Sequence, residues 1–126
     1  MKHLRLVNLT PHVISLADAE GAILATIEPS GTVARVDQAS GLDMGQRAAG
    51  CPVYSAPAYG PVVGLPPEAF AAGEEVLYIV SSMVAVQCQG RRDVVAPGTG
   101  PTDNPLRNEA GQIVAVRRLI RAPRED

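Results

Sequence analysis

Arginine residues concentrate in the last third of the chain. Seven of the eleven basic residues lie from Arg91 onward, and all seven are arginines. Arginine presents a planar fork of donors that suits phosphates and carboxylates, whereas lysine is a flexible point charge. The turn Gly98-Thr99-Gly100, between Pro97 and Pro101, adds backbone N–H groups that can approach a ligand closely because glycine has no Cβ. These residue types predict recognition of a small anion.

The predicted ligand-binding residues are the donors and turn residues of this segment, together with one aromatic residue of the preceding strand. They are Tyr78, Arg91, Arg92, Asp93, Gly98, Thr99, Asn104, Arg107, Asn108, Arg117 and Arg118. Tyr78 would stack on a ring, although its apolar strand favours packing in the core. The alternative for any single arginine is a solvated face, paired with carboxylates such as Asp103 or Glu109.

The sequence contains no recognisable catalytic or metal-binding motif. His3 and His12 lie far from Cys51 and Cys88, and no paired-cysteine motif is present. No Gly-x-Ser-x-Gly elbow or Cys–His signature supplies an activated nucleophile. Gly98-Thr99-Gly100 lacks the third glycine of a dinucleotide fingerprint and the lysine of a P-loop. We therefore expect a binding protein with no catalytic residue, no metal and no cofactor; a small nucleotide hydrolase is a weaker alternative.

Length and composition indicate one small globular domain over residues 1–126. The hydrophobic share is 46% and the net charge is −2, which argues against a nucleic-acid polymer as partner. No apolar run reaches the roughly 20 residues that span a bilayer. Two cysteines without a secretory segment favour a reduced, cytosolic setting. Cys51 and Cys88 are expected to be buried free thiols, with a disulfide between them left open.

Short alternating segments separated by turns predict a mainly β (α+β) fold, a compact small β-barrel or sandwich. Strands are expected near residues 4–8, 12–16, 22–27, 32–36, 51–56, 61–64, 75–80, 94–96 and 112–121. Residues 37–50 show little periodicity and are predicted to be a loop, with at most a short helix. One helix is expected over residues 83–89, after the strand that contains Tyr78, with Ser81 and Ser82 as N-caps and Gly90 at its end.

Five motifs spread along nearly the whole chain resemble a family of small phage proteins. They are Asn8-Leu9-Thr10-Pro11-His12, Ser30-Gly31-x-x-Ala34-Arg35-Val36, Tyr78-Ile79-Val80-Ser81, Arg92-Asp93-Val94-x-x-Pro97-Gly98 and Arg107-Asn108-x-x-Gly111-Gln112-Ile113-Val114. The family that they resemble is the first Thoeris anti-defence family.

The resemblance implies a non-catalytic sponge in the cytoplasm of the infected bacterial host. Such a protein sequesters cyclic ADP-ribose isomers, and in some members cyclic oligonucleotides, without cleaving them. It also implies a homo-oligomer, a hexamer built from dimers. The alternative is a structural or accessory phage protein whose arginines serve oligomer contacts. If the sponge interpretation holds, Arg91, Arg92, Arg107 and Arg117 are the arginines expected to contribute most to affinity.

Overall fold

The fold is described from a computed structural model, which covers residues 4–70, 73 and 75–124. Strands make up most of its regular structure, and the described part of the chain contains one short helix. The elements are β1 (Arg5–Asn8), β2 (Ile14–Ala17), β3 (Ile23–Ile27), β4 (Arg35–Ala39), β5 (Asp43–Ala48), β6 (Cys51–Tyr54), β7 (Ala58–Val63), β8 (Val76–Ile79), α1 (Ser82–Val86), β9 (Val94–Pro97), β10 (Leu106–Arg107), β11 (Ile113–Ala115) and β12 (Leu119–Arg121). The predicted mainly β fold, with a short helix after the Tyr78 strand, is confirmed.

A four-stranded sheet in the order β1-β8-β9-β12 forms the centre of the molecule. The central strand β8 pairs in parallel with β1 and with β9, and β12 runs antiparallel to β9. The remaining strands form two-stranded ribbons, β2–β3, β4–β7, β5–β6 and β10–β11. Because β1 and β12 lie at the two edges of the central sheet, this arrangement of the described strands is not a closed barrel.

One face of the central sheet packs into a core of small aliphatic side chains around Tyr78. Val76, Tyr78 and Val80 alternate along the chain, so that their side chains share this face. Helix α1 covers them with Val84 and Ala85, and Leu9 joins the same cluster. Tyr78 is therefore a core residue, as its apolar strand favoured.

Helix α1 begins where the sequence predicted but ends earlier. Ser81 is the N-cap, and its Oγ accepts a hydrogen bond from the Val84 N–H at 3.4 Å. The helix ends at Val86, because Gln87 caps it and Gly90 then adopts a left-handed conformation with φ of 85°. The turn that follows brings Arg91 and Arg92 back to the sheet.

The prediction of a loop over residues 37–50 is wrong. β4 extends to Ala39, and β5 pairs antiparallel with β6 through a turn at Ala49 and Gly50. Both faces of this ribbon are exposed, so its strands do not need the apolar alternation that marks a strand buried on one face.

The last predicted strand, residues 112–121, is divided in two. β11 pairs with β10, while β12 pairs with β9 of the central sheet. Between them, Val116 forms a bridge to Leu16 of β2. The chain therefore changes partner around Arg117 and Arg118.

Buried Asn8 organises the turn that follows β1. Its amide nitrogen donates to the backbone carbonyls of His12 at 2.7 Å and Ile27 at 3.1 Å. Its Oδ1 accepts from the Thr10 N–H at 2.9 Å and from the Thr10 hydroxyl at 2.7 Å. One side chain thus connects β1, the 9–13 turn and the end of β3, which gives a structural role to the Asn8–His12 motif.

Asn8→Ala should lower the free energy of unfolding by about 2–3 kcal/mol, since it leaves buried partners unsatisfied. Asn108→Ala is the matched control, because Asn108 makes similar turn contacts at an exposed site and should cost about 0.5–1.5 kcal/mol. Urea denaturation measures both losses. Equal losses for the two variants would contradict the organising role of Asn8.

None of the described helical residues belongs to a helix with the length and apolar character that a membrane crossing requires.

Candidate functional site: an arginine pocket at the end of β12

A two-pronged ion pair between Arg91 and Asp93 lies beneath the site. Arg91 Nε donates to Asp93 Oδ1 and Arg91 Nη2 to Asp93 Oδ2, both at 2.9 Å. The same Nη2 donates to the Pro66 carbonyl at 2.9 Å, and Asp93 Oδ2 accepts from the Ala69 N–H at 2.8 Å. Because Asp93 is fully buried, the pair holds the 66–69 segment against the start of β9.

The pair and its buried surroundings shift the pKa values of Asp93, Arg91 and Cys88. Burial raises the pKa of the Asp93 carboxyl, but the hydrogen bonds from Arg91 and from the Ala69 amide outweigh burial and leave the pKa below its ordinary value. The hydrogen bond to Asp93 raises the pKa of Arg91. Burial also raises the pKa of the neighbouring Cys88 thiol, which favours the protonated, unreactive form. The positive charge of Arg91 is therefore already neutralised by Asp93.

Arg92 is held more loosely than Arg91. Its Nε lies 3.4 Å from Glu68 Oε1, and its Cζ lies 6.0 Å from the centroid of the Phe70 ring. The Arg92 side chain is largely exposed, so both contacts are weak and can be exchanged for a ligand.

Four arginines line a concave site of about 420 Å³, which we name the arginine pocket. It is lined by Gly90, Arg91, Arg92, Arg121, Ala122, Pro123 and Arg124. The Gly90 N–H donates to the Pro123 carbonyl at 2.8 Å, which fastens the turn after α1 to the segment that follows β12. Arg121 pairs with Val95 through its backbone, but no described residue forms a side-chain hydrogen bond or ion pair with the Arg121 or Arg124 guanidinium. Within the described ranges, no carboxylate therefore compensates these two positive charges of the pocket.

A second cavity, of about 370 Å³, adjoins the arginine pocket, and we name it the apolar pocket. Its lining is Ser82, Ala85, Val86, Ala96, Pro97, Thr99, Gly100, Asp103, Ile120, Arg121 and Pro123. Arg121 and Pro123 line both cavities. The strand β12 thus separates a mainly aliphatic cavity from a positively charged one, with the Arg121 side chain at the boundary.

The Gly98-Thr99-Gly100 turn uses its amides within the chain. The Gly98 N–H donates to the Arg118 carbonyl at 2.9 Å, and the Gly100 N–H donates to Asp103 Oδ2 at 2.8 Å. Asp103 Oδ1 accepts from Arg118 Nε at 2.8 Å. A Cβ on Gly98 would lie 2.9 Å from the Arg118 carbonyl oxygen, so glycine is needed for this close approach. The chain's own carboxylate occupies the anion-binding position that the sequence suggested for a ligand.

The predicted residues on and near the β10–β11 hairpin stabilise turns. Arg107 Nη1 donates to the Gly111 carbonyl at 2.8 Å, and Asn108 Oδ1 accepts from two amides of the same turn. Arg117 donates to the carbonyls of Asp18 and Asn104, and Arg118 donates to the Thr102 carbonyl as well as to Asp103.

The structure therefore brings only part of the predicted set together. Arg91 and Arg92 line the arginine pocket, and Thr99 lines the apolar one. Arg121 and Arg124 belong to the pocket but were not predicted. No sequence signal distinguishes these two arginines from Arg117 and Arg118, and two acidic residues, Glu125 and Asp126, directly follow Arg124.

Other reactive groups are dispersed. Within the described ranges, no cluster of three or more His, Cys, Asp or Glu side chains is placed to hold a metal ion. Both cysteines are free. The expectation of buried thiols holds for Cys88, whereas Cys51 is exposed at the start of β6.

Comparison of the chain with protein-family models, with curated proteins and with solved structures finds no match.

Asp93→Asn should lower the free energy of unfolding by about 3 kcal/mol at neutral pH, because it leaves the partly buried Arg91 without its counterion. In the parent protein, the pKa of Asp93 is lower in the folded state than the value of about 3.9 in an unfolded chain. The contribution of the pair is therefore complete above about pH 4 and is lost as the pH falls through the folded-state pKa. Urea titrations between pH 7 and pH 2 measure both effects. If the free energies of unfolding of parent and variant differed by the same amount at pH 7 and at pH 2, this assignment would be contradicted.

Proposed function

We propose that the protein binds a small phosphorylated ligand of the cyclic ADP-ribose class and sequesters it without cleaving it. The observation that carries the proposal is the junction of the arginine pocket and the apolar pocket at Arg121 and Pro123. A ligand that joins phosphates to a ring fits such a pair of cavities. Each cavity also lies in the range of about 300–1,000 Å³ that is usual for small-molecule sites.

The charges support a ligand with about two negative charges. Asp93 matches Arg91 and Glu68 partly matches Arg92, which leaves Arg121 and Arg124 without counterions among the described residues. A pyrophosphate bridge with one negative charge on each phosphate complements these two guanidinium groups through charge-assisted, forked hydrogen bonds.

The side chains around the site favour binding over cleavage. The described lining of the arginine pocket contributes arginine, glycine, alanine and proline, none of which is a general base or a nucleophile at neutral pH. In the apolar pocket, both oxygens of the Asp103 carboxylate accept hydrogen bonds from Gly100 and Arg118. Both oxygens of this carboxylate are therefore already engaged by donors of the chain itself.

The resemblance to the first Thoeris anti-defence family supplies the biological setting of the proposal. A phage sponge in the cytoplasm of the infected bacterium would bind the host's nucleotide signal before an effector does. To compete with an effector it would need a Kd of about 100 nM or lower, roughly −9.5 kcal/mol. The same resemblance supports assembly as a homo-oligomer, with a dimer-based hexamer as the expected form.

A structural or accessory phage protein is the second candidate. It is favoured by the arginines that bind acceptors of their own chain, namely Arg91, Arg107, Arg117 and Arg118. These arginines fasten turns and strands, as arginines of a scaffold would. The two candidates differ in whether a nucleotide binds at Arg121.

Arg121→Ala should weaken binding of a cyclic ADP-ribose isomer about ten- to a hundredfold, which corresponds to the loss of about 1.5–3 kcal/mol for a hydrogen bond to a charged group. Arg121→Lys should recover only part of the affinity, since an ammonium cannot reproduce the fork. Isothermal titration calorimetry measures the Kd values. Arg107→Ala is the matched control, because Arg107 lies on an exposed hairpin and lines neither cavity. Parent-like binding by the Arg121 variants, or an equal loss in the control, would overturn the proposed site.

A ligand held by a sponge should be recovered unchanged. After incubation with a cyclic ADP-ribose isomer, heat denaturation of the protein should release a compound with the original mass and chromatographic retention. Mass spectrometry of the supernatant after minutes and after a day checks this expectation. Accumulation of a linear product that depends on the native protein would identify an enzyme instead.

A further inference from the structure

Residues 35–63 form a long two-stranded ribbon, which we name the arm. β4 pairs with β7 at its base, and β5 pairs with β6 at its outer end. The two parts are joined by hydrogen bonds from the Ser55 N–H to the Leu42 carbonyl and from the Leu42 N–H to the Ser55 hydroxyl, both at 2.8 Å. The arm is therefore one continuous structure.

Among the described residues, only those at the base of the arm pack against the hydrophobic core. Val36 and Val62 pack against the hydrophobic cluster beneath α1. Beyond them the structure describes every residue from 37 to 61, and none of these is buried. The exposed large apolar side chains of this outer part are Leu42, Met44, Val53, Tyr54 and Tyr59, with Leu42 at 76% and Tyr54 at 56% exposure.

The backbone geometry of the arm is tightly constrained, although none of the described residues buries its outer part. A Cβ on Gly41 would lie 2.0 Å from the Ser55 carbonyl oxygen, and a Cβ on Gly60 would lie 3.2 Å from the Asp37 Cβ. Glycine at both positions permits close approach of the two strands. An isolated two-stranded ribbon is marginally stable in water, so a precise ribbon with an apolar surface indicates a partner that covers it.

We propose that the arm is a self-association surface, on which the arm of a second copy of this chain packs. The charged side chains of the arm are Arg35, Asp37, Asp43 and Arg47, so its net charge is zero and both signs are interspersed. A nucleic acid or a strongly charged protein would find no excess charge to match. A two-fold contact between identical arms instead places the same mixed surface on both sides, where each sign can meet its opposite.

The arm is large enough to form an interface with the arm of a second copy. It comprises about 30 residues, and a standard interface takes about 20–30 residues from each side. Two strands of about 14 residues extend about 45 Å, which is long enough for two arms to cover one another over most of their length. This proposal rests on the homo-oligomer of the proposed function and places the contact between its subunits on the arm. The contact can be tested without a ligand.

The double variant Leu42→Asp/Tyr54→Asp tests this surface, because it puts charge into the apolar part of the arm without touching the core. Leu24→Asp is the matched control, since Leu24 is 66% exposed on β3, outside the arm. In sedimentation equilibrium at about 50 µM, the parent should have at least twice the 13.2 kDa chain mass. The double variant should lose at least half of the parent's mass, and the control should keep it. A monomeric parent, or a double variant with the parent's mass, would overturn the proposal.

Hydrogen–deuterium exchange provides a second readout that does not depend on how well the variant folds. In the parent protein, amides of residues 43–54 should become at least tenfold better protected when the concentration is raised from about 1 to 100 µM. Amides of β8, which lie in the central sheet, should keep their protection throughout. Arm amides whose exchange is independent of concentration would contradict the proposal and would leave the arm to a different partner.

Discussion

The ion pair between Arg91 and Asp93 is the interaction on which the arrangement of the site depends. Asp93 is fully buried at the start of β9, and burial of an unpaired carboxylate is costly, so Arg91 must turn inward to satisfy it. The Ala69 amide and the Pro66 carbonyl complete the network. This network fixes the turn after α1, and through the bond from Gly90 to Pro123 it also fixes the segment that follows β12. The walls of the arginine pocket are held in place by a residue pair that does not itself offer free charge.

The arginines of this chain therefore divide by their surroundings. Arg91, Arg117 and Arg118 donate to acceptors of their own chain and connect segments far apart in sequence, Arg91 through its bond to the Pro66 carbonyl. Arg121 and Arg124 lie where the described chain provides no acceptor, and Arg121 borders an aliphatic cavity. A phosphate could therefore bind the Arg121 guanidinium by displacing water alone, without first breaking an internal ion pair. This difference is the physical reason to place a phosphate there.

The sequence predicted those elements that leave a recognisable residue pattern, such as an apolar run or a helix N-cap. The apolar run of β8 and the Ser81 N-cap were recognisable because a buried strand and a helix start each require particular residues. The strand β5 escaped detection because both of its faces are exposed and its six residues include no β-branched or aromatic side chain, whereas the equally exposed β6 contains Val53 and Tyr54. The ion pair of Arg91 with Asp93 could not be predicted from their spacing, because Arg92 and Asp93 lie in the turn before β9, where no strand alternation places side chains on one face. Arg121 could not be separated from Arg117 or Arg118 by sequence, because only the positions of internal acceptors distinguish them.

The central claim is that phosphates bind at Arg121 and Arg124 while the attached ring occupies the apolar pocket. A crystal structure of the protein with a cyclic ADP-ribose isomer tests this claim most directly. We predict phosphate oxygens within hydrogen-bond distance of the Arg121 guanidinium, with the ring beside Val86 and Ile120 and the Arg91–Asp93 pair intact. Density for the ligand beside Arg107 and Arg117, with the arginine pocket empty, would contradict the account.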